Sequence, residues 1–426
     1  MQSAQQQPGN SLGFNVIGHI TGNLGLAVAA RNTIRALESR GVPCALFDVD
    51  PGYGRGGRHD EFAHALQGGR APYGVNLFHL NPPQIMRLVS EKPSWLDLAG
   101  SMNVVVPFWE LPHLPLTGGW HEVLSAVDLT LAPTRFVLDS VLDSLPDAHV
   151  VHYPQAVSLP AGVKADRDAF GLSADGVHFL VSLDVTSDPS RKNPGAAVEA
   201  FIRANAPGAR LVVKLSNSSA GKVGSRGAKA VLEMIAHAPN VTVIDKDLDY
   251  AASLSLTASC DAYISLHRSE GLGLNLLEAM SLGLPVVCTA WSGNMDFTGA
   301  DDSCQVGYRL VPVGASHPDY RPEIIGEGQV WADPDVDEAA RWISQLSCDA
   351  DLRAAIGERA RSSMAAREAE FLRARFVDDV STRVRTCTDI ELAARTEQWA
   401  RIAHVPTKVR LRRSVGGMLR SLGLRD

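Results

Sequence analysis

Cysteine is scarce in this chain, and its distribution excludes several kinds of site. The 426 residues contain six cysteines, and no two of them form a CxxC pair. A zinc knuckle or a dithiol motif therefore has little support. We expect reduced thiols, as in a cytosolic protein.

Long apolar runs and an excess of positive charge are also missing. No run of eighteen apolar residues occurs, so we expect no transmembrane helix. The N-terminal stretch MQSAQQQPGNSLG has no charged region followed by an apolar run, so we expect no signal peptide. The formal net charge of −7 argues against a general coat of nucleic acid. These absences predict a cytoplasmic protein that binds no nucleic acid.

The C-terminal stretch KVRLRRSVGGMLRSLGLR differs from the rest, because it is basic and contains no acid. Its apolar residues recur at roughly helical spacing. The pattern predicts a basic amphipathic segment that lies on an anionic membrane surface, at the inner face of the cytoplasmic membrane. A solvated tail is the alternative. The basic residues assigned to the membrane surface are Lys408, Arg410, Arg412, Arg413 and Arg420.

Two series of alternating strands and helices run along the chain. The first extends from a strand at residues 14–20 to a strand at residues 149–157, and the second begins at residues 177–185. Such alternation implies parallel sheets with right-handed crossovers. The break falls in residues 158–170, which are rich in small and charged residues. We expect an α/β fold with two Rossmann-like domains that face each other across a cleft.

Three segments follow from this division. We place the first domain at residues 1–165, the second at residues 166–385, and a helical segment with the basic tail at residues 386–426. After Asp333 the chain is expected to be helical, with Asp residues ahead of a helix start. The C-terminal helices are expected to return to the N-terminal domain.

Two acids and two glycines at the end of a predicted strand indicate a ligand site. The stretch SEGLGLNLLEAM contains Glu270, Gly271, Gly273 and Glu278. A helix begins within it, and amides at a helix N-terminus are free donors for phosphate. The glycines allow a ligand to approach closely, and Glu278 can accept two hydrogen bonds from a diol such as ribose. The alternative is an amphipathic helix with one capping acid and one solvated acid.

This stretch resembles the retaining GT-B glycosyltransferases of family 4, the group 1 glycosyl transferases. The shared features are two glutamates in an E-x7-E pattern, the intervening Gly-x-Gly, the EAM and the following G-x-P-V-V. In that family the first acid contacts hydroxyls of the donor sugar, and the second holds the nucleotide ribose. The resemblance implies these roles for Glu270 and Glu278. It also implies that the diphosphate meets the loop residues Gly271, Leu272, Gly273, Leu274 and Asn275.

Three cations follow the first two strands of the second series. Arg191 and Lys192 lie in DPSRKNP, and Lys214 lies at the end of LVVKLS. We expect them to meet near the glycine loop, where they would stabilise a departing diphosphate. A solvated basic turn is the alternative. The resemblance implies that Glu270, Lys192 and Arg191 are catalytic and that no divalent metal is needed. Many relatives place an arginine earlier, where this chain reads SLDVTSD, so Arg191 is expected to substitute.

The N-terminal domain is expected to contribute a second glycine loop, TGNLGLA. The resemblance favours Gly22 and Gly25 as residues that close over the donor. A plain turn between strand and helix is one alternative. A second alternative is a dinucleotide site in which Asp48 or Asp50 binds the ribose. A third is a metal-binding DxD motif formed by the same two aspartates.

Further polar and aromatic residues are expected at the cleft. PFWELPHLP offers Trp109 for stacking on a sugar, and Glu110 or His113 for orienting the acceptor hydroxyl. His79 ends another strand, although a packed or capping histidine is equally compatible. The turn at residues 292–294 could contact the donor or be an ordinary turn. We assign no general base, because the family is thought to use the departing phosphate oxygen.

The resemblance implies transfer of a hexose, mannose- or rhamnose-like, from a nucleotide diphosphate sugar to a hydroxyl. The acceptor would be lipid-linked or a polysaccharide, as in the synthesis of bacterial surface polysaccharides such as lipopolysaccharide. Two alternatives stay open, which are a GT-B sugar-nucleotide epimerase and a non-catalytic nucleotide- or glycan-binding subunit. The absence of GxGxxG argues against a NAD-dependent oxidoreductase.

Overall fold

Two parallel six-stranded sheets form the framework of the protein. The structure is a computed structural model, and it describes residues 12–49, 59–91, 93–184, 187–216, 229, 232–236, 238, 240–314 and 320–404. Both sheets are covered by helices, which is why their strands read as nearly continuous apolar runs. The prediction of two Rossmann-like α/β domains is confirmed.

The first sheet has the strand order β2-β1-β3-β4-β5-β6, and all of its strands are parallel. Its strands are β1 Phe14–Gly18, β2 Cys44–Asp48, β3 Val75–His79, β4 Met102–Val105, β5 Leu129–Ala132 and β6 Val150–His152. Its α-helices are Gly25–Ser39, Pro82–Glu91, Trp120–Ala126 and Arg135–Ser144. The strand predicted at residues 149–157 is shorter, because Pro154 cannot donate to a ladder and the chain leaves the sheet there.

The second sheet has the order β12-β11-β10-β7-β8-β9 and is also parallel. Its strands are β7 Val177–Asp184, β8 Ala209–Ser216, β9 Val241–Asp245, β10 Ala262–Ser265, β11 Val286–Thr289 and β12 Cys304–Val306. Its α-helices are Pro189–Lys192, Pro194–Ala204, Tyr250–Ala258 and Leu274–Ser281. The carboxyl ends of β7 and β10 meet at the centre of this sheet, and the loops that follow them form the candidate site.

Short side-chain caps fix where several helices begin. The Asp188 carboxylate accepts a hydrogen bond from Ser190 N at 2.8 Å and starts the helical turn Pro189–Lys192, whose proline occupies an early helical position. Asp249 and Asp335 start later helices in the same manner. Their carboxylates accept from the amides three residues further along, at 2.8 and 2.9 Å. The first of these caps aims Arg191 and Lys192 from the end of β7.

An antiparallel hairpin interrupts the predicted pattern. It consists of β13 Tyr308–Pro312 and β14 Val330–Pro334, which pair with Leu310 opposite Ala332. A short helix, Pro322–Ile325, lies between the strands. No pattern in the sequence predicted this hairpin.

The described part of the chain ends in helices, as expected, and the last of them returns to the N-terminal domain. The C-terminal α-helices are Val336–Cys348, Ala350–Phe371, Phe376–Thr386 and Asp389–His404. Trp399 and Ile402 belong to the core of the first domain, and Arg395 pairs with the buried Asp128. The boundaries at 165/166 and 385/386 stay predictions. In the described part of the chain, no helix has both the length and the apolar content that a membrane span requires.

Candidate active site

The loop between β10 and the helix Leu274–Ser281 is the centre of the candidate site. Gly273 ends this loop with φ at 90°, a left-handed conformation that glycine adopts without a steric cost. The amides of Leu276 and Leu277 bond back to the Gly273 carbonyl at 3.0 and 3.1 Å. Amides of the first helical turn point beyond the helix end, where a phosphate can accept from them.

Glu270 is held in this loop by two cations. Lys192 Nζ lies 2.6 Å from Glu270 Oε1, and Arg191 Nη1 lies 3.2 Å from Glu270 Oε2. The carboxyl is only 8 % exposed. Burial alone would raise its pKa, but the charges of Lys192 and Arg191 outweigh burial and lower the pKa to about 2. Glu270 is therefore an anion, and two of the three cations that were predicted to face a diphosphate are already paired.

Arg191 also connects the two domains. Its Nε lies 3.2 Å from Glu110 Oε1 of the N-terminal domain, and its Nη1 donates to the Ser269 carbonyl at 2.9 Å. Although burial lowers the pKa of Arg191, the charge of Glu110 and further acids raises it above its ordinary value. The guanidinium remains charged and is oriented from both sides of the cleft.

Gly271 lies where the backbones of the two domains approach each other closely. A Cβ at this position would lie 2.7 Å from the carbonyl oxygen of Trp109. The Gly271 carbonyl accepts a hydrogen bond from Thr134 Oγ1 at 2.8 Å, and Thr134 also caps the helix Arg135–Ser144. Glycine is needed here because a larger residue would push the loop away from the N-terminal domain.

The turn at residues 292–294 braces Glu270 from behind. The Glu270 amide donates to Ser292 Oγ, and the Gly293 amide donates to the Glu270 carbonyl, both at 2.8 Å. Ser292 has φ at 75°, a strained conformation for a residue with a side chain. Asn294 is buried and bonds to the Thr289 carbonyl at 2.9 Å. In the described residues this turn supports the backbone of the Glu270 loop.

Glu278 lies further along the helix, partly buried and facing the N-terminal domain. Burial raises the pKa of its carboxyl to about 7, and the Tyr250 hydroxyl and the Arg31 charge only partly offset the rise. The Arg31 guanidinium lies 5.9 Å from the centre of the Tyr250 ring. Burial also lowers the pKa of Arg31 to about 10. An arginine of one domain thus faces the second acid of the other.

The N-terminal glycine loop lies against the same region. Asn23 Nδ2 donates to the Leu248 carbonyl at 3.3 Å, and a Cβ at Gly25 would lie 3.6 Å from the Leu274 side chain. Arg31 Nη1 holds the loop by donating to the carbonyls of Ile20 and Gly22 at 2.8 and 3.0 Å. Both Gly22 and Gly25 therefore belong to a loop that reaches the second domain.

Asp48 has a different role from either alternative considered for it. Its carboxylate accepts from Thr21 N at 3.1 Å and from Thr21 Oγ1 at 2.5 Å. It thus anchors the N-terminal glycine loop. Asp50 lies outside the described residues.

Lys214 does not join the other two cations. Its ammonium donates to the Leu215 carbonyl at 2.7 Å and to Ser216 Oγ at 2.8 Å. Within the described residues it forms no ion pair with Glu270. Burial lowers the pKa of Lys214, while nearby acids oppose the shift. The expectation of three converging cations is therefore corrected to two, because Lys214 lies within strand β8 and its side chain folds back on the strand end.

Two of the predicted cleft residues are packed inside the protein. Trp109 is 8 % exposed, its Nε1 donates to the His113 carbonyl at 2.8 Å, and its ring tilts against Trp120 at 5.1 Å. His79 is fully buried, and desolvation lowers its pKa to about 3. Neither ring is presented to a sugar in this conformation, because Trp109 belongs to the hydrophobic core and His79 is fully buried. His113 is exposed, and its backbone binds Gln329.

The two domains close tightly over the site. The space beside Lys192, Glu270 and Asn275 is a cavity of about 30 Å³, enough for one or two water molecules. Ligand pockets usually measure about 300 Å³ or more. Residues of the second domain alone line this cavity, so a nucleotide sugar needs space beyond it.

Several residues of this site were not predicted, namely Tyr320, Thr134, Arg31 and Tyr250. They come from distant parts of the chain and lie in no recognisable local pattern. As for metal ligands, no three His, Cys, Asp or Glu side chains converge within the described part of the chain. A metal-independent reaction stays a prediction.

Comparisons with known proteins agree with this architecture. Residues 237–308 match the family described as glycosyl transferases group 1. No curated protein matches the chain. Sucrose-phosphate synthase from Thermosynechococcus elongatus is similar in structure, with a TM-score of 0.61 and 12 % identity over 88 % of this chain and 100 % of that chain.

Two other solved structures are similar to a comparable degree. A glycosyltransferase from Rickettsia africae has a TM-score of 0.59 and 13 % identity, with 88 % of this chain and 100 % of that chain covered. HepE from Anabaena, solved with UDP and glucose, has a TM-score of 0.55 and 13 % identity, with 87 % and 100 % covered. At these identities the likeness shows the fold alone. The predicted GT-B fold is confirmed, and the group 1 domain lies where the two acids were found.

Proposed function

We propose that this glycosyltransferase, which has the GT-B fold and a group 1 domain, uses a nucleotide diphosphate sugar as donor. It transfers a mannose- or rhamnose-like hexose to a hydroxyl of a lipid-linked or polysaccharide acceptor, with retention of configuration. The observation that carries the proposal is Glu270, an anion paired with Lys192 and Arg191 beside a free helix N-terminus. This arrangement offers acceptors for sugar hydroxyls next to donors for phosphates.

Each residue has a defined part in this reaction. Glu270 accepts hydrogen bonds from the donor sugar, and the loop amides before Asn275 meet the diphosphate. Glu278 holds the ribose. As the bond between the sugar and the phosphate oxygen breaks, negative charge grows on the leaving diphosphate, and Lys192 and Arg191 stabilise it. The acceptor hydroxyl bonds to the anomeric carbon, and its proton passes to the departing phosphate oxygen.

When the donor binds, Lys192 and Arg191 must exchange Glu270 for the diphosphate as their partner. In the structure Glu270 neutralises Lys192 and Arg191 directly. A diphosphate would take over these cations, and sugar hydroxyls would then satisfy the Glu270 oxygens. Because the exchange takes place in a buried site, charges there interact more strongly than in water. We include no metal in this scheme.

Attachment to a membrane is a further part of the proposal. The residues that would contact anionic lipid are Lys408, Arg410, Arg412, Arg413 and Arg420, and they lie outside the described residues. The basic composition of this segment supports the proposal, and attachment would bring the enzyme to a lipid-linked acceptor. The enzyme would then work at the inner face of the cytoplasmic membrane.

A donor panel tests the function. We expect one of UDP-glucose, GDP-mannose and dTDP-rhamnose to raise the melting temperature most, because stabilisation grows with ligand concentration over Kd. The selected donor is then incubated with octyl glycoside acceptors and with EDTA, and the anomeric configuration of the product is read by NMR. We expect a retained anomer and an unchanged rate in EDTA.

Glu270→Gln is the matched variant for this assay. Removing the charge while keeping the shape should lower kcat by about 100-fold or more, as for other groups that act on the transition state. Glu358→Gln, at an exposed acid, serves as the control and should match the wild type. Conversion of the donor to its epimer without transfer, or full transfer by Glu270→Gln, would contradict the proposal.

A further inference from the structure

The hairpin crosses the cleft and docks on the N-terminal domain. We call β13, β14 and the described residues 320–329 between them the cross-domain hairpin. The Leu116 amide donates to the Ile324 carbonyl at 2.7 Å, and Gln329 Nε2 donates to the His113 carbonyl at 2.8 Å. Three of its side chains are part of the N-terminal core, namely Tyr320, Ile325 and Trp331.

Tyr320 is the residue of this hairpin that meets the candidate site. Its hydroxyl donates a hydrogen bond to Glu110 Oε1, and its ring packs edge-on against Trp331 at 5.9 Å. The side chain is 4 % exposed. Burial and the charge of Glu110 raise the pKa of Tyr320 well above its ordinary value, so the hydroxyl keeps its proton and remains a donor.

The contact continues from Glu110 to the reacting centre. Glu110 Oε1 lies 3.2 Å from Arg191 Nε, and Arg191 Nη1 lies 3.2 Å from Glu270 Oε2. A second link runs parallel to it, because Ser269 Oγ donates to the Glu110 carbonyl while the Ser269 carbonyl accepts from Arg191. Tyr320, Glu110, Arg191 and Glu270 therefore form one continuous chain of polar contacts across both domains.

We propose that Tyr320 is a positioning residue that, through Glu110, fixes the orientation of the Arg191 guanidinium against Glu270. The inference rests on the proposed function and assigns Glu110 to the alignment of Arg191, in place of the expected contact with an acceptor hydroxyl. Glu110 attracts the Nε edge as an ion pair without a hydrogen bond, and because a guanidinium is planar, this attraction also sets the direction of its remaining donors. Donors that are oriented before the reaction stabilise the leaving diphosphate without reorganisation.

This role predicts a particular kinetic signature. Ground-state binding of the donor uses the loop amides and Glu278, whereas the Tyr320 hydroxyl donates to Glu110. Stabilisation of the leaving group uses Arg191, whose alignment depends on Tyr320. Tyr320→Phe should therefore lower kcat by about tenfold, the effect of one hydrogen bond to a charged group, and change the donor KM by less than about twofold.

The experiment follows release of nucleoside diphosphate, with an octyl glycoside as the acceptor and UDP-glucose, GDP-mannose or dTDP-rhamnose as the donor. Four proteins are compared with the wild type, namely Tyr320→Phe, Glu110→Gln, the double variant, and Tyr308→Phe. Tyr308 lies on the same hairpin and is 40 % exposed, so its variant should match the wild type. Melting temperatures check that each protein is folded.

The double variant separates positioning from packing. If Tyr320 acts through Glu110, its substitution should cost nothing further once Glu110 is neutral, so the double variant should match Glu110→Gln within about twofold. Penalties that multiply, or a kcat of Tyr320→Phe within about twofold of the wild type, would overturn the positioning role alone. A folded wild type that turns over none of the donors would instead refute the proposed function, and this inference with it.

Discussion

The carboxyl of Glu278 lies partly buried near Tyr250 and Arg31, and burial raises its pKa to about 7. In the unfolded chain a glutamate titrates near pH 4.3. Between these values the folded protein keeps a proton that the unfolded chain has lost. The free energy of unfolding therefore falls as the pH rises through this window, and above pH 7 the full penalty for the buried charge is present.

Glu278→Gln should remove this penalty. We expect the variant to raise the free energy of unfolding by about 1–3 kcal/mol at pH 8 and by much less at pH 5. Guanidinium unfolding at the two pH values measures the difference, and Glu358→Gln, at an exposed acid, controls for the loss of a charge. An equal effect at both pH values would contradict the prediction. The same variant should bind nucleoside diphosphate more weakly, since a ribose needs the carboxylate.

At the scale of single residues, local sequence patterns predicted the charged centre of the candidate site but not the residues that hold it in place. Glu270, Arg191 and Lys192 do come together, because each follows a neighbouring strand of one sheet. Lys214 does not reach them, since a side chain two residues before the strand end folds back on the strand. Tyr320 has no local signal, because its contact with the site exists only after two domains have packed.

Among the elements, the parallel strands were predictable and the cross-domain hairpin was not. A buried parallel strand such as β1 is apolar throughout, and the alternation with helices identifies its neighbours. Strand β13 is exposed at most of its positions, and its partner β14 lies seventeen residues further along the chain. Such non-local pairing leaves no periodic pattern, so the sequence predicts only the helices after Asp333 and not the hairpin before them.

The basic C-terminal segment is predicted to bind an anionic membrane surface, and this binding can be tested. We expect the full chain to float with vesicles that contain phosphatidylserine, because each basic residue contributes about 1 kcal/mol near an anionic surface. Vesicles of phosphatidylcholine alone should leave it at the bottom of the gradient. A variant with glutamine at positions 408, 410, 412, 413 and 420 keeps the length of the segment and should not float. Equal flotation of the variant and the wild type would contradict membrane attachment.

At the scale of the whole molecule, the contacts between the domains explain why the site is closed. Besides Gly271, the domains meet where His152 Nε2 lies 2.6 Å from Asp296 Oδ2, and where Asp296 accepts from the Arg135 amide. We expect the domains to separate when the donor binds and to close again, which brings Arg191 and Glu110 together.

Closure places the Gly271 backbone against Trp109, so Gly271→Ala should hinder it. The added Cβ would lie 2.7 Å from a backbone oxygen, and this oxygen can move only if the loop that carries it moves. We expect the variant to keep a larger radius of gyration than the wild type in solution scattering with donor present. Its release of nucleoside diphosphate should fall by about 100-fold, as expected for catalytic groups misplaced by about 1 Å.

Gly68→Ala provides the matched control, because nothing lies within 4 Å of a Cβ at that position. Its radius of gyration and its rate should equal those of the wild type. A Gly271→Ala protein that closes and reacts like the wild type would show that contact between Gly271 and Trp109 is not required for catalysis. If the variant closes but still releases nucleoside diphosphate slowly, the substitution has changed the direction of the loop amides. A reduced affinity for UDP or GDP would show this change.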